Sequence, residues 1–403
     1  MADSATKDEI IAFRLRAHHL DERLSHNSLL DAAGACGIQN SPPGSALTSL
    51  HARVEGMSAT ALDSAVEEEK SLLQSWCMRG APHFFPAADL PVFTTGVEPT
   101  SEKAMRHFVL GVEQSVDSLG IPLSQILDRV EQEIAGVLRG RRMTITELGE
   151  ELADVLANSL TTKQRRTWES QGPYARGQSL GAGVIHFCIR LLTLRQILCF
   201  APREGNTAPF VLLDEWIDDP SIASSTASDE SERDRARSEL LRRYLHCYGP
   251  STRADFAAWI GIRSTEAKPW WDLIAGEITE IDRGRRTWML AEDVDQLHRA
   301  QLPHGVRLLP PHDPYTQMRD RETIASKDFH REIWKTVGDP GALLVDGRIA
   351  GTWRARKRNR RLSMTIAPFG TVPKSVKSAL TAEAEAIGAL READAVDIEF
   401  TSD

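Results

Sequence analysis

The chain has 403 residues, 41% of them hydrophobic, and sets 48 lysines and arginines against 57 aspartates and glutamates, a formal charge of −9. That length fits two to three domains, and the apolar share excludes a disordered chain. The charge excludes a uniformly basic nucleic-acid coat but leaves room for a local basic face.

Of the 48 cations only ten are lysine. The arginine excess fits a GC-rich coding sequence and also suits phosphate contacts through the planar guanidinium. The five cysteines (Cys36, Cys77, Cys188, Cys199 and Cys247) form no C-x-x-C pair, which argues against a disulfide scaffold or a zinc ribbon. The first ten residues, MADSATKDEI, have no apolar signal core, and no run of 18 apolar residues occurs. The expectation is a soluble, cytoplasmic protein without membrane contact.

In chain order, residues 9–20 and 29–37 have helical spacing, the second run ending at Gly37 as a C-cap. The loop IQNSPPGS follows, then two short helices over 45–54 and 58–69. Residues 75–78 and 83–85 read as strands around a turn at Gly80-Ala81-Pro82. Helices followed by a β-hairpin is the winged-helix order.

That order recurs twice. Residues 121–138 and 143–156 are helices, the second capped by Thr144 or Thr146 with Glu147 in its first turn. Residues 163–179 read as a polar loop or loose helix, 181–197 as a third helix, and 197–213 as two strands around Gly205-Asn206. The Ser-rich acidic stretch 218–237 reads as a linker. Beyond it come a helix over 237–248 that stops at Gly249-Pro250, a capped helix over 251–261, and a helix disturbed by Pro269. Strands on either side of Arg283-Gly284-Arg285-Arg286 complete this third unit, the best helix-turn-helix-plus-wing candidate. After the extended, Pro-rich RLLPPHDPY, residues 342–369 read as three strands with a hairpin turn at Asp346-Gly347. An Ala-rich helix over 375–392 ends the chain.

The expected fold class is therefore α+β, with about three tandem winged-helix motifs and a C-terminal segment rich in β-hairpins. The expected boundaries are 1–100, 101–220, 221–302 and 303–403. No oligomerisation heptads are visible, which favours a monomer.

The phosphate-binding loop G-x-x-x-x-G-K-[ST], the dinucleotide fingerprint G-x-G-x-x-G and the zinc motif H-E-x-x-H are absent. His18-His19 has no partner at ligand spacing, so neither a metal nor an organic cofactor is expected. The most basic window runs from Arg354 to Arg361 between two apolar strands and contains Arg354, Arg356, Lys357, Arg358, Arg360 and Arg361. Six like charges repel without a counter-surface, and a hairpin tip of this kind suits phosphates or a minor groove. Arg283, Arg285 and Arg286 are a weaker copy. Trp270-Trp271 has the chemistry to stack on bases, but helical spacing reads better as core, as do Trp76 and Trp353.

Six stretches carry a family likeness: RLRAHHL (14–20), GIQNSP (37–42), SWCMRGAPHFF (75–85), LLRRYLHCYGPSTRADFAAWIG (240–261), LLPPHDPY (308–315) and VDGRIAGTWRARKRNRRL (345–362). In this order, over nearly the whole chain, they resemble the AlkZ/YcaQ-like winged-helix DNA glycosylases. The resemblance implies three tandem winged helices shaping a basic surface for duplex DNA. It also implies excision of alkylated purines or unhooking of interstrand crosslinks, through a Gln-x-Gln or His-x-Gln motif in the loop after the second helix. Here that loop reads Gln39-Asn40-Ser41. Gln39 matches the first motif position and Ser41 stands at the second, where its hydroxyl reaches ~2–3 Å less than an amide. Asn40 is the alternative amide. Arg79 and His83, in the segment that follows the family's wing, are candidates either for DNA contact or for holding the Gln39 loop.

Three functions compete on these residues. The first is a DNA glycosylase using Gln39 with Ser41 or Asn40. The second is a non-catalytic DNA-binding protein, a regulator or lesion recogniser, which the Gln-Asn-Ser departure favours. The third, weaker reading is a protein-interaction scaffold, which fits the net negative charge.

Overall fold

The computed structural model describes residues 3–205, 207–217 and 229–401. It is a mixed α+β architecture with three sheets among these residues. Thirteen strands build them: β1 Asp3–Ser4, β2 Ile38–Gln39, β3 Leu72–Trp76, β4 Pro82–Pro86, β5 Leu198–Phe200, β6 Phe210–Leu212, β7 Ile278–Asp282, β8 Arg286–Leu290, β9 Val306–Leu309, β10 Gly341–Val345, β11 Arg348–Arg358, β12 Arg361–Pro368 and β13 Ala395–Phe400. The sheet orders are β2-β4-β3-β5-β6, β1-β7-β8 and β13-β12-β11-β10-β9.

The first sheet crosses the boundary expected at residue 100. The hairpin β3–β4 meets β5–β6 through the single pair Gln74–Phe200, so the two expected wings share one sheet. The helix Leu180–Leu194 packs against β3 and β5 and the helix Leu123–Leu138 against β6, with Ile145–Ala157 packed on both helices. Leu123–Leu138 buries Ile126, Leu127, Val130, Ile134 and Leu138, a stripe of helical period. Thr144 opens the next helix with the full capping box, its hydroxyl accepting from the Glu147 amide and its own amide donating to the Glu147 carboxylate.

Two segments are more ordered than a plain loop or linker. The polar run after 162 contains an ordered helix, Thr162–Trp168, because Thr161 and Gln164 form another capping box and Trp168 anchors it. The Trp168 indole donates to the Ala153 carbonyl at 2.9 Å. Of the expected linker, residues 218–228 lie outside the described residues. Its remainder from Glu230 belongs to the long helix Glu230–Tyr248, which Leu240, Leu241, Tyr244 and Leu245 fix to the core. The turn residue Asn206 also lies outside the described residues, while Gly205 has the positive φ that a turn requires.

The tryptophans expected in the core are there. Trp270, Trp271, Trp76 and Trp353 are buried, and Phe256 meets the first two edge-on at 5.2 and 5.6 Å. No described helix is long and apolar enough to cross a membrane.

The C-terminal sheet is larger than the three strands read from the sequence. Asp346 and Gly347 both take positive φ, 47° and 76°, as a two-residue hairpin turn needs. β9 joins the front edge and β13 the back, running parallel to β12. One face packs Trp353, Leu362, Met364 and Ile366 under the helix Lys374–Leu390.

Candidate nucleic-acid interface and hydrolytic site

The Gln39 loop is built by short-range pairing. β2 is a two-residue edge strand in which Gln39 stands directly opposite His83, which in turn stands opposite Ser75. Directly opposed residues project from the same sheet face, so these three side chains form a row. Asn40 turns the chain: its Oδ1 accepts from the Gly44 amide at 2.9 Å and the Ala46 amide at 3.4 Å. Its Oδ1 thereby satisfies backbone amides at the start of the helix Ser45–His51. The Ser45 hydroxyl donates to the Gln39 carbonyl at 3.1 Å. Ser41 is half-buried and makes no side-chain hydrogen bond among the described residues.

Arg79 holds the Gln39 amide. Its Nη2 donates to Gln39 Oε1 at 3.2 Å and to Gln317 Oε1 at 3.5 Å, while Nη1 donates to the Trp259 carbonyl. None of these acceptors is a carboxylate, and burial pulls the guanidinium below its usual range. Gln317 Nε2 lies 3.3 Å from His312 Nδ1, and that nitrogen is 3.7 Å from Asp339 Oδ2. His83 Nδ1 donates to the Ala81 carbonyl at 2.9 Å. Burial, with Arg79 beside it, pushes His83 down to about 3, so it is a neutral ring at physiological pH.

The loop following Gln39 walls a cleft of about 530 Å³. Its lining includes Pro42 and Gly44 of that loop, Pro311 and Asp339, and Arg354 and Lys357 of β11. Two motifs far apart in the sequence, the amide loop and the basic hairpin, thus border one cavity.

The hairpin does not present six free cations. Arg360 pairs with Asp394 and Arg361 with Asp397 at 2.7 Å, carboxylates at and on β13. Arg354 donates to the Gly338 carbonyl and Lys357 to the Arg391 carbonyl. The expected self-repulsion is relieved because the neighbouring parallel strand supplies counter-charge. Arg356 and Arg358 remain without a hydrogen bond or ion pair among the described residues. They alternate with Ala355 and Lys357, so Arg354, Arg356 and Arg358 share the face opposite the core, ~7 Å apart.

In the third-unit wing, Arg283 stands in the turn between β7 and β8, but its side chain folds back and is mostly buried. Its Nη1 donates to Asp320 at 2.6 Å and to the Pro250 carbonyl, and its Nη2 bonds Thr323. Asp320 also receives Arg14 and Arg285, at 3.1 and 3.2 Å. Burial alone would raise this carboxyl, but Arg14 and Arg283 hold it far below the usual range. Arg285 is half exposed and Arg286, exposed, pairs with Glu280 at 2.8 Å. A second cleft beside this wing adds Arg319 and Arg321, which the sequence reading did not single out.

The sequence reading also missed one buried cluster. His18 Nδ1, Cys36 Sγ and Cys247 Sγ lie within 4.8 Å of one another, and the Tyr248 hydroxyl is 3.7 Å from Cys36 Sγ. The donor set is one that zinc accepts. However, Cys247 already donates to the carbonyls of Ala17 and Ala35, at 3.7 and 3.5 Å. No spacing rule finds this group, because its members come from three separate segments.

The sequence model of the family described as DNA glycosylase AlkZ-like matches residues 32–390. The chain belongs to the AlkZ-like DNA glycosylase family. Among AlkZ-like relatives, the interstrand DNA cross-link repair glycosylase of Streptomyces sahachiroi is 24% identical over 389 residues, covering 93% of this chain and 94% of its own. The solved structure of the Streptomyces sahachiroi DNA glycosylase AlkZ has a TM-score of 0.75 at 21% identity, over 99% of this chain and 100% of that one. At that identity the likeness is one of fold. Gln317, His312 and Asp339, which the structure brings to Arg79 or to one another, are residues that local sequence could not group in this AlkZ-like chain. The only signal was the PPHDPY stretch, which carries His312 and ends two residues before Gln317.

Proposed function

We propose that this protein is a monofunctional DNA glycosylase that excises alkylated purines from duplex DNA and opens crosslinks made through them, on a frame of three winged-helix units. The observation that carries this reading is the shared cleft. The loop that follows Gln39, through Pro42 and Gly44, and the hairpin bearing Arg354 and Lys357 wall the same cavity, which brings phosphate-binding cations up to the segment that carries the candidate amide.

The chemistry asks little of the protein. An N7-alkylated purine is cationic and leaves neutral, taking the C1′–N9 electron pair. A water oxygen bonds C1′, and its proton passes to bulk solvent. Neutral amides suffice to orient that water and to stabilise charge developing on the sugar. Arg79, which donates to the Gln39 and Gln317 side-chain oxygens and the Trp259 carbonyl, fixes the Gln39 amide in place. Arg356 and Arg358 are free to meet the backbone, while the paired Arg360 and Arg361 exchange exposed carboxylates for phosphates.

The test is base release from a duplex carrying N7-methylguanine, scored as abasic sites, with Gln39→Ala alongside. Release that disappears in the variant supports the reading. An equally active variant removes Gln39 from the mechanism. Retardation of the duplex without release of any alkylated purine favours the non-catalytic DNA-binding alternative.

A further inference from the structure

We propose that Gln317 supplies the second amide of the hydrolytic site, in place of the Ser41 hydroxyl; this rests on the glycosylase reading above. A single nitrogen, Arg79 Nη2, donates to the side-chain oxygens of both Gln39 and Gln317, at 3.2 and 3.5 Å. One rigid, planar donor therefore aims two amides from opposite ends of the chain at one point. Each amide oxygen keeps a second lone pair, and a water placed between them donates to both.

The competing candidates are otherwise engaged or out of this group. Asn40 Oδ1 is filled by the amides of Gly44 and Ala46. Ser41 makes no hydrogen bond to Arg79, Gln39 or Gln317. By contrast, Gln317 is half-buried, open enough to meet a substrate and fixed at both ends of its amide. Its Nε2 donates to His312 Nδ1 at 3.3 Å, which sets which end of the amide faces Arg79. Burial keeps His312 neutral and able to accept that bond, although Asp339 opposes the shift.

The base under Gln317 is rigid. It ends the 3-10 turn Pro314–Gln317, which Asp313 caps by accepting from the Tyr315 amide at 3.0 Å. Asp313 is itself clamped by Arg53. In the reaction the amides accept hydrogen bonds from the water without taking its proton. The water oxygen bonds C1′, the C1′–N9 pair leaves with the base, and the proton goes to solvent.

The experiment is single-turnover release of 7-methylguanine from duplex DNA by the full chain, with binding to a duplex holding a tetrahydrofuran abasic analogue as the control. Gln317→Ala is expected to slow release by ~10²-fold, as Gln39→Ala does, while abasic-duplex binding stays within ~2-fold. Ser41→Ala is expected to stay within ~3-fold of the parent. Adding Ser41→Gln to Gln317→Ala restores at least ~10-fold, because an amide then returns from the loop itself. Gln317→Met, which keeps the volume and removes the amide, gives the same loss if alanine loosens the turn. If Gln39→Ala loses release and both Gln317 variants keep it, Gln317 has no such role and the glycosylase reading stands. If release and abasic binding fall together and Ser41→Gln rescues neither, Gln317 is structural and the proposal fails. A parent that releases no alkylated base overturns both readings.

Discussion

Arg53 and Asp313 meet as a two-pronged ion pair, Nη1 to Oδ2 and Nη2 to Oδ1, each at 2.8 Å, with neither side chain open to solvent. The pair ties the end of the helix behind the Gln39 loop to the segment that carries His312 and Gln317. The Ser49 hydroxyl and the Tyr315 amide complete the carboxylate's hydrogen bonds. Breaking a buried pair leaves one charge uncompensated, so Asp313→Asn or Arg53→Met is expected to cost ~3–5 kcal/mol in urea unfolding. Burial alone would raise the Asp313 carboxyl, but Arg53 holds it below the usual range. The stabilisation is thus present above the unfolded carboxyl pKa and lost as pH falls through the lower folded value. Asp313→Asn should flatten that acid limb. A variant as stable as the parent at pH 7 would contradict this account.

His83 makes the opposite wing of that argument at milder pH. Burial, then Arg79, hold the ring down to about 3 when folded, against 6.5 for the free side chain. Between those values the unfolded chain binds a proton that the folded one refuses, so stability falls as pH drops from 6.5 towards 3. His83→Phe keeps the bulk and removes the titration. Its melting temperature should fall less between pH 7 and pH 4 than the parent's does. Parallel pH profiles would mean that His83 titrates normally.

Gly181 sits where Trp168 crosses the helix Leu180–Leu194. A Cβ there would lie 2.2 Å from Trp168 Cε2, far inside contact distance. The indole cannot swing away freely because its Nε1 donates to the Ala153 carbonyl. Gly181→Ala is therefore expected to destabilise by ~1–3 kcal/mol, in spite of alanine's better helix propensity. Chemical denaturation measures the loss.

What could be read from the sequence was local. The Thr144–Glu147 cap, the Asp346-Gly347 turn and the amphipathic stripe through Ile126, Val130 and Ile134 each depend on residues within two turns of one another. What escaped was non-local. β13 pairs parallel to β12, and no short-range pattern announces a parallel edge. The two expected wings merge into one sheet through a single residue pair, Gln74 and Phe200. The same split runs through the site. Gln39 was legible in its loop, whereas Gln317 reaches it only through Arg79. Arg360 and Arg361 looked unopposed because Asp394 and Asp397 arrive from the chain's last strand region.

That pairing sorts the hairpin into two classes with different salt behaviour. Arg356 and Arg358 have no partner to give up among the described residues, so each phosphate contact they make releases counterions in full. Replacing either with alanine should weaken duplex binding and reduce the slope of log K against log salt by ~1. Arg360 and Arg361 must first leave Asp394 and Asp397, and their removal frees those carboxylates to repel the DNA. Arg360→Ala should therefore lose affinity, whereas Arg360→Ala combined with Asp394→Ala should recover most of it. Fluorescence anisotropy across a salt series separates the classes. If the double variant binds no better than Arg360→Ala alone, Asp394 is not the counter-charge that DNA displaces.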